Sequence, residues 1–162
     1  MSVAQIELFY LAHSRTGDKG DSQTMSLIPY RAEDYALLDR AVTAEAVQKH
    51  FGRLTRGPVT RYALPNLGAF NFVLEETLQG GVNDSLNLDT HGKSRSSWLL
   101  TMMVEVPDDH PASREALRDG RTDVVGAPVL RDGRPGQPGH VRERDRGQHQ
   151  PGDDQFAEGR VR

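Results

Sequence analysis

The chain of 162 residues contains no cysteine, which excludes disulfide bonds, thiolate nucleophiles and cysteine-ligated zinc sites. It also lacks an apolar stretch near the roughly 20 residues of a membrane-spanning helix. The N-terminus has no basic and then apolar segment of the signal-peptide type, so we expect a cytoplasmic protein without a membrane partner. Excess positive charge is missing too, since 20 basic residues stand against 23 acidic ones, and we expect no nucleic-acid partner.

Aromatic residues are scarce, at 6% of the chain, and Phe156 is the sole one beyond residue 106. Residues 107–162 have no lysine but contain ten Arg, six Pro and eight Gly. This composition offers too little apolar surface to offset the entropy lost on ordering. We therefore predict a domain over 1–106 and a low-complexity, disordered tail over 107–162. Within the tail, only 111–119 allows a short helix, with Ser113 as its N-cap.

Apolar spacing in the first region predicts both strands and helices. The predicted strands are 5–13, 24–28, 58–64, 85–89 and 94–106. The predicted helices are 32–42, 43–51 with Thr43 as N-cap, and Asn66 to Leu78, ended by Gly80 and Gly81. This order predicts an α+β fold, a ferredoxin-like sandwich with helices on one face of a mainly antiparallel sheet.

The densest polar stretch, HSRTGDKGD at residues 13–21, follows the first predicted strand. Its glycines, bases and acids are Gly17, Gly20, Arg15, Lys19, Asp18 and Asp21. We interpret the stretch as a loop whose glycines allow inward-pointing amides to form an anion nest. The bases would add charge for a carboxylate or phosphate, and the acids would orient those bases or transfer protons. The alternative is a polar loop whose acids bond to their own backbone. Asp18, Asp21 and His13 could ligate a hard cation, but no second cluster has metal-ligand spacing, so we predict no metal site.

Two further stretches carry polar or flexible residues that a core pattern does not need. In LPNLGAFNF, residues 64–72, Asn66 is predicted to cap a helix whose first amides would donate hydrogen bonds to an anion. Asn71 would face the same pocket. In GGVNDSL, Gly80 and Gly81 would let a ligand or a partner chain approach the backbone closely. The alternatives are a simple helix cap in the first stretch and a helix stop in the second.

Taken in order, these stretches resemble a known family. The chain has TGDKGD, then LPN-x-x-A-x-N-F-V-L, GGV-x-x-S-L and D-x-x-GK, as in the small ferredoxin-like domain of the acyclic terpene utilisation protein A (AtuA) family. The resemblance covers about residues 5–106. The positions it implies for a ligand site are Arg15, Gly17, Asp18, Lys19, Gly20, Asp21, Asn66, Asn71, Gly80, Gly81 and Ser85.

The resemblance also implies a role in the catabolism of acyclic terpenes through acyl-CoA intermediates. In that family the domain is the C-terminal part of a longer protein or a separate small chain. We therefore expect a small subunit that docks onto a larger, separately encoded AtuA-type protein, or a homo-oligomer. Its interface would hold an acyl-CoA or carboxylate ligand. The main alternative is a purely structural interaction module, and a self-sufficient small enzyme is the third class. The sequence identifies neither a cofactor nor a reaction.

Overall fold

The computed structural model describes residues 2–120 and 122–125, with side chains up to Gly120, and all described elements belong to one compact unit. The strands are β1 Val3–Glu7, β2 Ala12–Lys19, β3 Ser22–Pro29, β4 Val59–Leu64, β5 Ala69–Leu74, β6 Met103–Pro107 and β7 Thr122–Val125. The α-helices are α1 Tyr35–Ala41, α2 Ala44–Phe51, α3 Arg95–Leu100 and α4 Pro111–Arg118. None of the helices in this described part has the length and apolar character needed to cross a membrane.

The strands form two sheets, with orders β2-β3-β5-β4 and β6-β1-β7, and neighbouring strands are antiparallel in both. The predicted α+β class with mainly antiparallel pairing is confirmed, although the strands are divided between two sheets. Buried side chains of both sheets and of all four helices join in a single core. Because the two sheets and the helices share one core, neither sheet requires a separate hydrophobic core.

The larger sheet has one buried face. Alternate side chains of β3 and β5, including Met25, Leu27, Phe70 and Phe72, are fully buried in the core. Helix α1 packs on this face, where the ring of Tyr35 stacks on that of Phe70 with centroids 4.6 Å apart. The residues between these are half-buried or exposed, and we call their side of the sheet the outer face. The outer face comprises His13, Arg15, Gly17, Lys19, Thr24, Ser26, Ile28, Thr60, Tyr62, Asn71 and Val73.

Residues 13–21, predicted as a loop, lie mostly in β2, so that prediction is wrong. Strand β2 pairs with β3, and Gly20–Asp21 is the two-residue turn of the hairpin. Gly20 has a φ of +63°, which suits glycine, but Gly17 lies inside the strand opposite Thr24. The predicted anion nest is therefore not formed. Strand preference depends on the neighbouring strand, so polar composition alone did not reveal β2.

The helix predicted from Asn66 to Leu78 is also wrong. A 3-10 turn at Pro65–Leu67 ends at Gly68, with a φ of +59°, and β5 follows. Strand β5 lies between β3 and β4, which supply its hydrogen-bonding partners on both sides. Since a short apolar run fits both a helical and an extended period, this pairing decided the outcome. Gly80 and Gly81 consequently do not end a helix.

Two other strand predictions are partly wrong and one fails. Stretch 5–13 is split by a 3-10 turn at Leu8–Tyr10 into the ends of β1 and β2. Stretch 94–106 begins as helix α3 and only its end forms β6, because Arg95 and Leu99 are buried at helical spacing. Stretch 85–89 contains a bend but no strand.

The remaining local predictions are confirmed. Strands occur at 24–28 and 58–64 within β3 and β4, and 32–42 forms a 3-10 turn followed by α1. The Thr43 hydroxyl accepts a hydrogen bond from the Ala46 amide at 3.1 Å, which caps α2 as predicted. Gly52, with a φ of +50°, ends α2.

Ordered structure continues past the predicted boundary at residue 106. Helix α4 confirms the helical segment at 111–119, but its N-cap is His110, whose Nδ1 accepts from the Ala112 amide at 3.2 Å. Ser113 is buried instead and donates to the carbonyl of Pro107. Strand β7 pairs with β1. The disorder prediction is therefore wrong up to β7, and for 126–162 it lies outside the described residues.

Candidate functional site

A row of side chains crosses the outer face of the larger sheet. Arg15 on β2 is opposite Ser26 on β3, Ser26 is opposite Asn71 on β5, and Asn71 is opposite Tyr62 on β4. Paired residues of antiparallel strands project to the same face of a sheet, so these four side chains are neighbours. We call them the polar row. It combines a cation, a hydroxyl, an amide and an exposed aromatic ring on one surface.

The Arg15 end of the polar row opens into a groove of about 430 Å³, which we call the Arg15 groove. Strands β2, β3 and β5 and the segment before α3 form its walls. The residues that line it include Arg15, Gly17, Asp18, Lys19, Thr24, Ser26, Asn71 and Lys93. Three of these side chains are cationic and one is a carboxylate, so the groove carries a net positive charge. It is therefore suited to an anion.

The carboxylate of the Arg15 groove is already engaged. Lys93 donates from Nζ to Oδ1 of Asp18 at 2.8 Å, and this hydrogen bond is the main reason that the pKa of Asp18 lies below its ordinary value. The side chain of Lys19 donates to the backbone carbonyl of Asp18 at 3.1 Å. Asp18 thus binds Lys93 rather than the side chains of the bases on its own strand. A carboxylate with a lowered pKa is also a weak base at neutral pH.

Asp21 and the two adjacent glycines of GGVNDSL meet at another place. Oδ1 of Asp21 accepts hydrogen bonds from the amides of Leu78 at 3.0 Å and Gly80 at 2.9 Å. Gly81, with a φ of +102°, lies so near the β2–β3 turn that a Cβ there would be 3.2 Å from the carbonyl carbon and oxygen of Gly20. The close backbone approach predicted at these glycines is therefore to another segment of the same chain.

The predicted site residues are thus divided. The structure brings together Arg15, Gly17, Asp18, Lys19 and Asn71 in the Arg15 groove. It leaves outside the lining of this groove Gly20, Asp21, Asn66, Gly80, Gly81 and Ser85.

Two of the residues outside the groove have local surroundings of their own. Asn66 is exposed in the 3-10 turn between β4 and β5. The Ser85 hydroxyl accepts from the Asn87 amide at 3.3 Å within its own loop. Neither Asn66 nor Ser85 is among the residues that line the Arg15 groove.

Sequence reasoning missed five residues of this surface: Thr16, Thr24, Ser26, Tyr62 and Lys93. Thr24 and Ser26 are the polar positions of a strand that we correctly predicted, so its period-two pattern already held the signal. Tyr62 lies in the predicted strand 58–64 in the same way. Lys93 had no such signal, because its place beside Asp18 depends on a contact 75 residues apart in sequence.

The described residues also bear on metal binding. Within 2–120 and 122–125, no group of three or more His, Asp and Glu side chains is placed to hold a metal ion. His13, which we considered as a ligand at first, lies on the outer face with its ring stacked on Tyr30 at a centroid distance of 5.7 Å. The Arg15 groove is therefore best explained by its cations and neutral donors.

The antiparallel sheets, the helices packed on one face of the larger sheet and the groove on the other define a small α+β domain of the ferredoxin-like kind. Among known families, the AtuA ferredoxin-like domain matches residues 6–105. Because this match spans more than half of the 162 residues, the chain belongs to the AtuA ferredoxin-like domain family, as its motifs predicted. No curated protein and no solved structure matches the chain.

Proposed function

We propose that the chain is a small subunit of an acyclic-terpene-utilisation type catabolic protein, and that its Arg15 groove binds an acyl-CoA or related anion at an interface with a larger chain. One observation carries this proposal: Arg15, Ser26 and Asn71 form one row beside the cations of the groove. Family membership supports the catabolic context.

The chemistry of the groove supports anion binding. A guanidinium such as that of Arg15 pairs with a carboxylate or phosphate through two parallel hydrogen bonds. Lys19 adds a mobile point charge, while the Ser26 hydroxyl and the Asn71 amide supply neutral donors that fix orientation. The site lies on the exposed face of a sheet, and such shallow sites are commonly completed by a second chain. Catalytic groups would therefore come from the partner.

Exposed apolar residues support docking to another polypeptide. Leu86 is 98% exposed and Leu88 is fully exposed in the loop that precedes α3. Tyr62 at the end of the polar row is also exposed. Clustered apolar side chains in water mark interaction surfaces more often than isolated ones do. We propose a larger AtuA-type protein as the partner, with a homo-oligomer as the alternative.

A purely structural module remains the second candidate because two predicted site acids have internal partners. Asp18 is paired with Lys93, and Asp21 binds two backbone amides. If the bases of the groove had only structural roles, the chain would fold and dock without responding to any anion.

Thermal unfolding with octanoyl-CoA tests the ligand proposal on the full chain. We expect octanoyl-CoA to raise the Tm in a saturable way, since a ligand that binds the native state stabilises it. Arg15→Ala should weaken the apparent affinity about tenfold, the loss of one charge-assisted contact. Arg40→Ala removes an exposed base on α1 and serves as the matched control. A Tm that octanoyl-CoA leaves unchanged would favour the structural module.

Co-expression with the larger AtuA-type protein tests the partner. We expect the two chains to co-purify, and the double variant Leu86→Ser, Leu88→Ser to reduce recovery of the complex. Leu67→Ser is the control, because Leu67 is 75% exposed but lies in the 3-10 turn before β5. Light scattering of the chain alone distinguishes the homo-oligomer. The subunit proposal would be contradicted if the chain were a monomer and did not bind the larger protein.

A further inference from the structure

A second groove, of about 420 Å³, lies between α3 and the loop before it. Its apolar wall is formed by Leu54 and by Trp98, which is 49% exposed. Its polar lining includes Arg95, Ser97 and the carboxylate residue Asp89. We call it the Trp98 groove. It shares no lining residue with the Arg15 groove.

Arg95 is the unusual residue of the Trp98 groove. It is only 8% exposed, and its Nη1 donates to the carbonyl of Leu54 at 3.3 Å and to the hydroxyl of Thr77. None of the ion pairs within the described part of the chain includes Arg95. Burial lowers the pKa of Arg95 from its ordinary value. A buried charge without an ionic partner is costly, and a bound counter-ion would lower that cost.

The nearest acids do not neutralise Arg95 by contact. Asp89 and Asp21 act on its charge only beyond ion-pair distance. Asp89 already accepts from the amide of Lys93 at 2.8 Å and from the amide and hydroxyl of Ser94 at 2.7 and 2.6 Å. Asp21 accepts from two backbone amides. Asp89 lines the same groove, but its oxygens are held by Lys93 and Ser94, so the guanidinium of Arg95 has no ion pair within 4 Å with any described residue.

We propose that the Trp98 groove binds a small organic carboxylate, whose charged end pairs with Arg95 and whose apolar body lies against Leu54 and Trp98. The Ser97 hydroxyl adds a donor beside the carboxylate. The volume of about 420 Å³ suits a small molecule. This site is separate from the Arg15 groove and does not depend on the function proposed for that groove.

The chain contains a single tryptophan, and it lines this groove, so tryptophan fluorescence can report on the groove. We expect sodium octanoate to change the Trp98 emission of the full chain in a saturable way. Acetate, which lacks the apolar body, and 1-octanol, which lacks the charge, should bind at least about tenfold more weakly, the loss of one charge-assisted or apolar contribution. No saturable response to octanoate, or an equal response to 1-octanol, would overturn the proposal.

Substitutions identify the charge that binds. Arg95→Met should weaken octanoate binding about tenfold or more, because it removes the ionic partner. Arg95 also bonds to Leu54 and Thr77, so a second variant guards against loss of folding. Ser97→Glu places a negative charge at an exposed position of the groove and should weaken binding by a similar factor. Arg40→Ala, which removes an exposed base outside both grooves, is the control and should leave octanoate binding unchanged. If the folded Ser97→Glu protein bound octanoate with unchanged affinity, the assignment of a carboxylate site to the Trp98 groove would be wrong.

Discussion

The carboxylate of Asp21 accepts a hydrogen bond from the backbone amide of Gly80, 2.9 Å away. The backbone oxygen of Asp21 accepts from the Thr77 amide at 2.9 Å, so both parts of the residue bind the same segment. These bonds fasten the β2–β3 turn to the beginning of the long connection between β5 and α3. Two residues that the motifs placed around a ligand therefore bind each other.

Asp21 should matter for stability more than for ligand binding. Asp21→Ala leaves the amides of Leu78 and Gly80 without their acceptor, and we expect the free energy of unfolding to fall by about 1–3 kcal/mol. Urea denaturation measures the change. Asp84→Ala, at an exposed position of the same connection, is the control. If Asp21→Ala abolished the response to octanoyl-CoA at unchanged stability, Asp21 would belong to the ligand site.

Gly81 and Gly20 should differ in their tolerance of alanine. Both have positive φ, but a Cβ at Gly20 meets nothing within 4 Å, whereas one at Gly81 meets backbone at 3.2 Å. We expect Gly20→Ala to cost about 1 kcal/mol from backbone strain alone. Gly81→Ala should cost at least about 2 kcal/mol, since the β2–β3 turn must also move. If both variants lost the same free energy of unfolding in urea, the contact between Gly81 and the β2–β3 turn would not be tight.

Removal of everything after residue 106 should destabilise the domain. Helix α4 buries Ala112 and Ala116, and His110 at its start hydrogen-bonds to the buried carboxylate of Asp34 at 2.9 Å. Loss of this burial and of the partner of Asp34 should cost about 3 kcal/mol or more. Truncation after Val125 keeps every described element and should change stability by less than about 0.5 kcal/mol. If both truncated chains had the same free energy of unfolding, α4 and β7 would have no stabilising role.

Stability should depend on pH through Asp89. Burial alone would raise the pKa of Asp89, but the Ser94 hydroxyl and the amides of Ser94 and Lys93 outweigh it and leave the pKa below its ordinary value. The unfolded chain therefore takes up this proton more readily, so the stabilisation exists at neutral pH and is lost as pH falls below about 4.

The variant Asp89→Asn tests this linkage. We expect it to be about 1–2 kcal/mol less stable than the parent chain at pH 7, the usual range for lost hydrogen bonds to a charged acceptor. The difference should narrow as pH falls through the acidic range. Asp109→Asn, at an exposed position, should match the parent at every pH. A constant difference between the Asp89 variant and the parent would contradict the assigned cause.

Local signals in the sequence predicted the elements that local contacts form. The cap at Thr43 and the stop at Gly52 bound α2, because both act through hydrogen bonds and dihedral angles of neighbouring residues. Strand β4 was predicted in the same way from its extended pattern. The motifs also identified the family, since their order along the chain needs no structure to be read.

Stretches whose apolar pattern fits both a helix and a strand were predicted less well. The run of β5 fits a helix as well as a strand, and the run from Trp98 to Val106 fits a strand although it starts as α3. Their outcome depends on which strands and helices lie beside them after folding. The same applies to the polar residues of β2, whose strand exists because β3 pairs with it.

Sequence alone determined the α+β composition, the family and the presence of a dense polar stretch at residues 13–21. Only the tertiary structure decided that Arg15 and Asn71 share a groove while Asp21 and Gly80 bind each other. The physical reason is the register of antiparallel pairing. Register sets which face each side chain takes, and it is fixed by contacts between strands far apart in sequence.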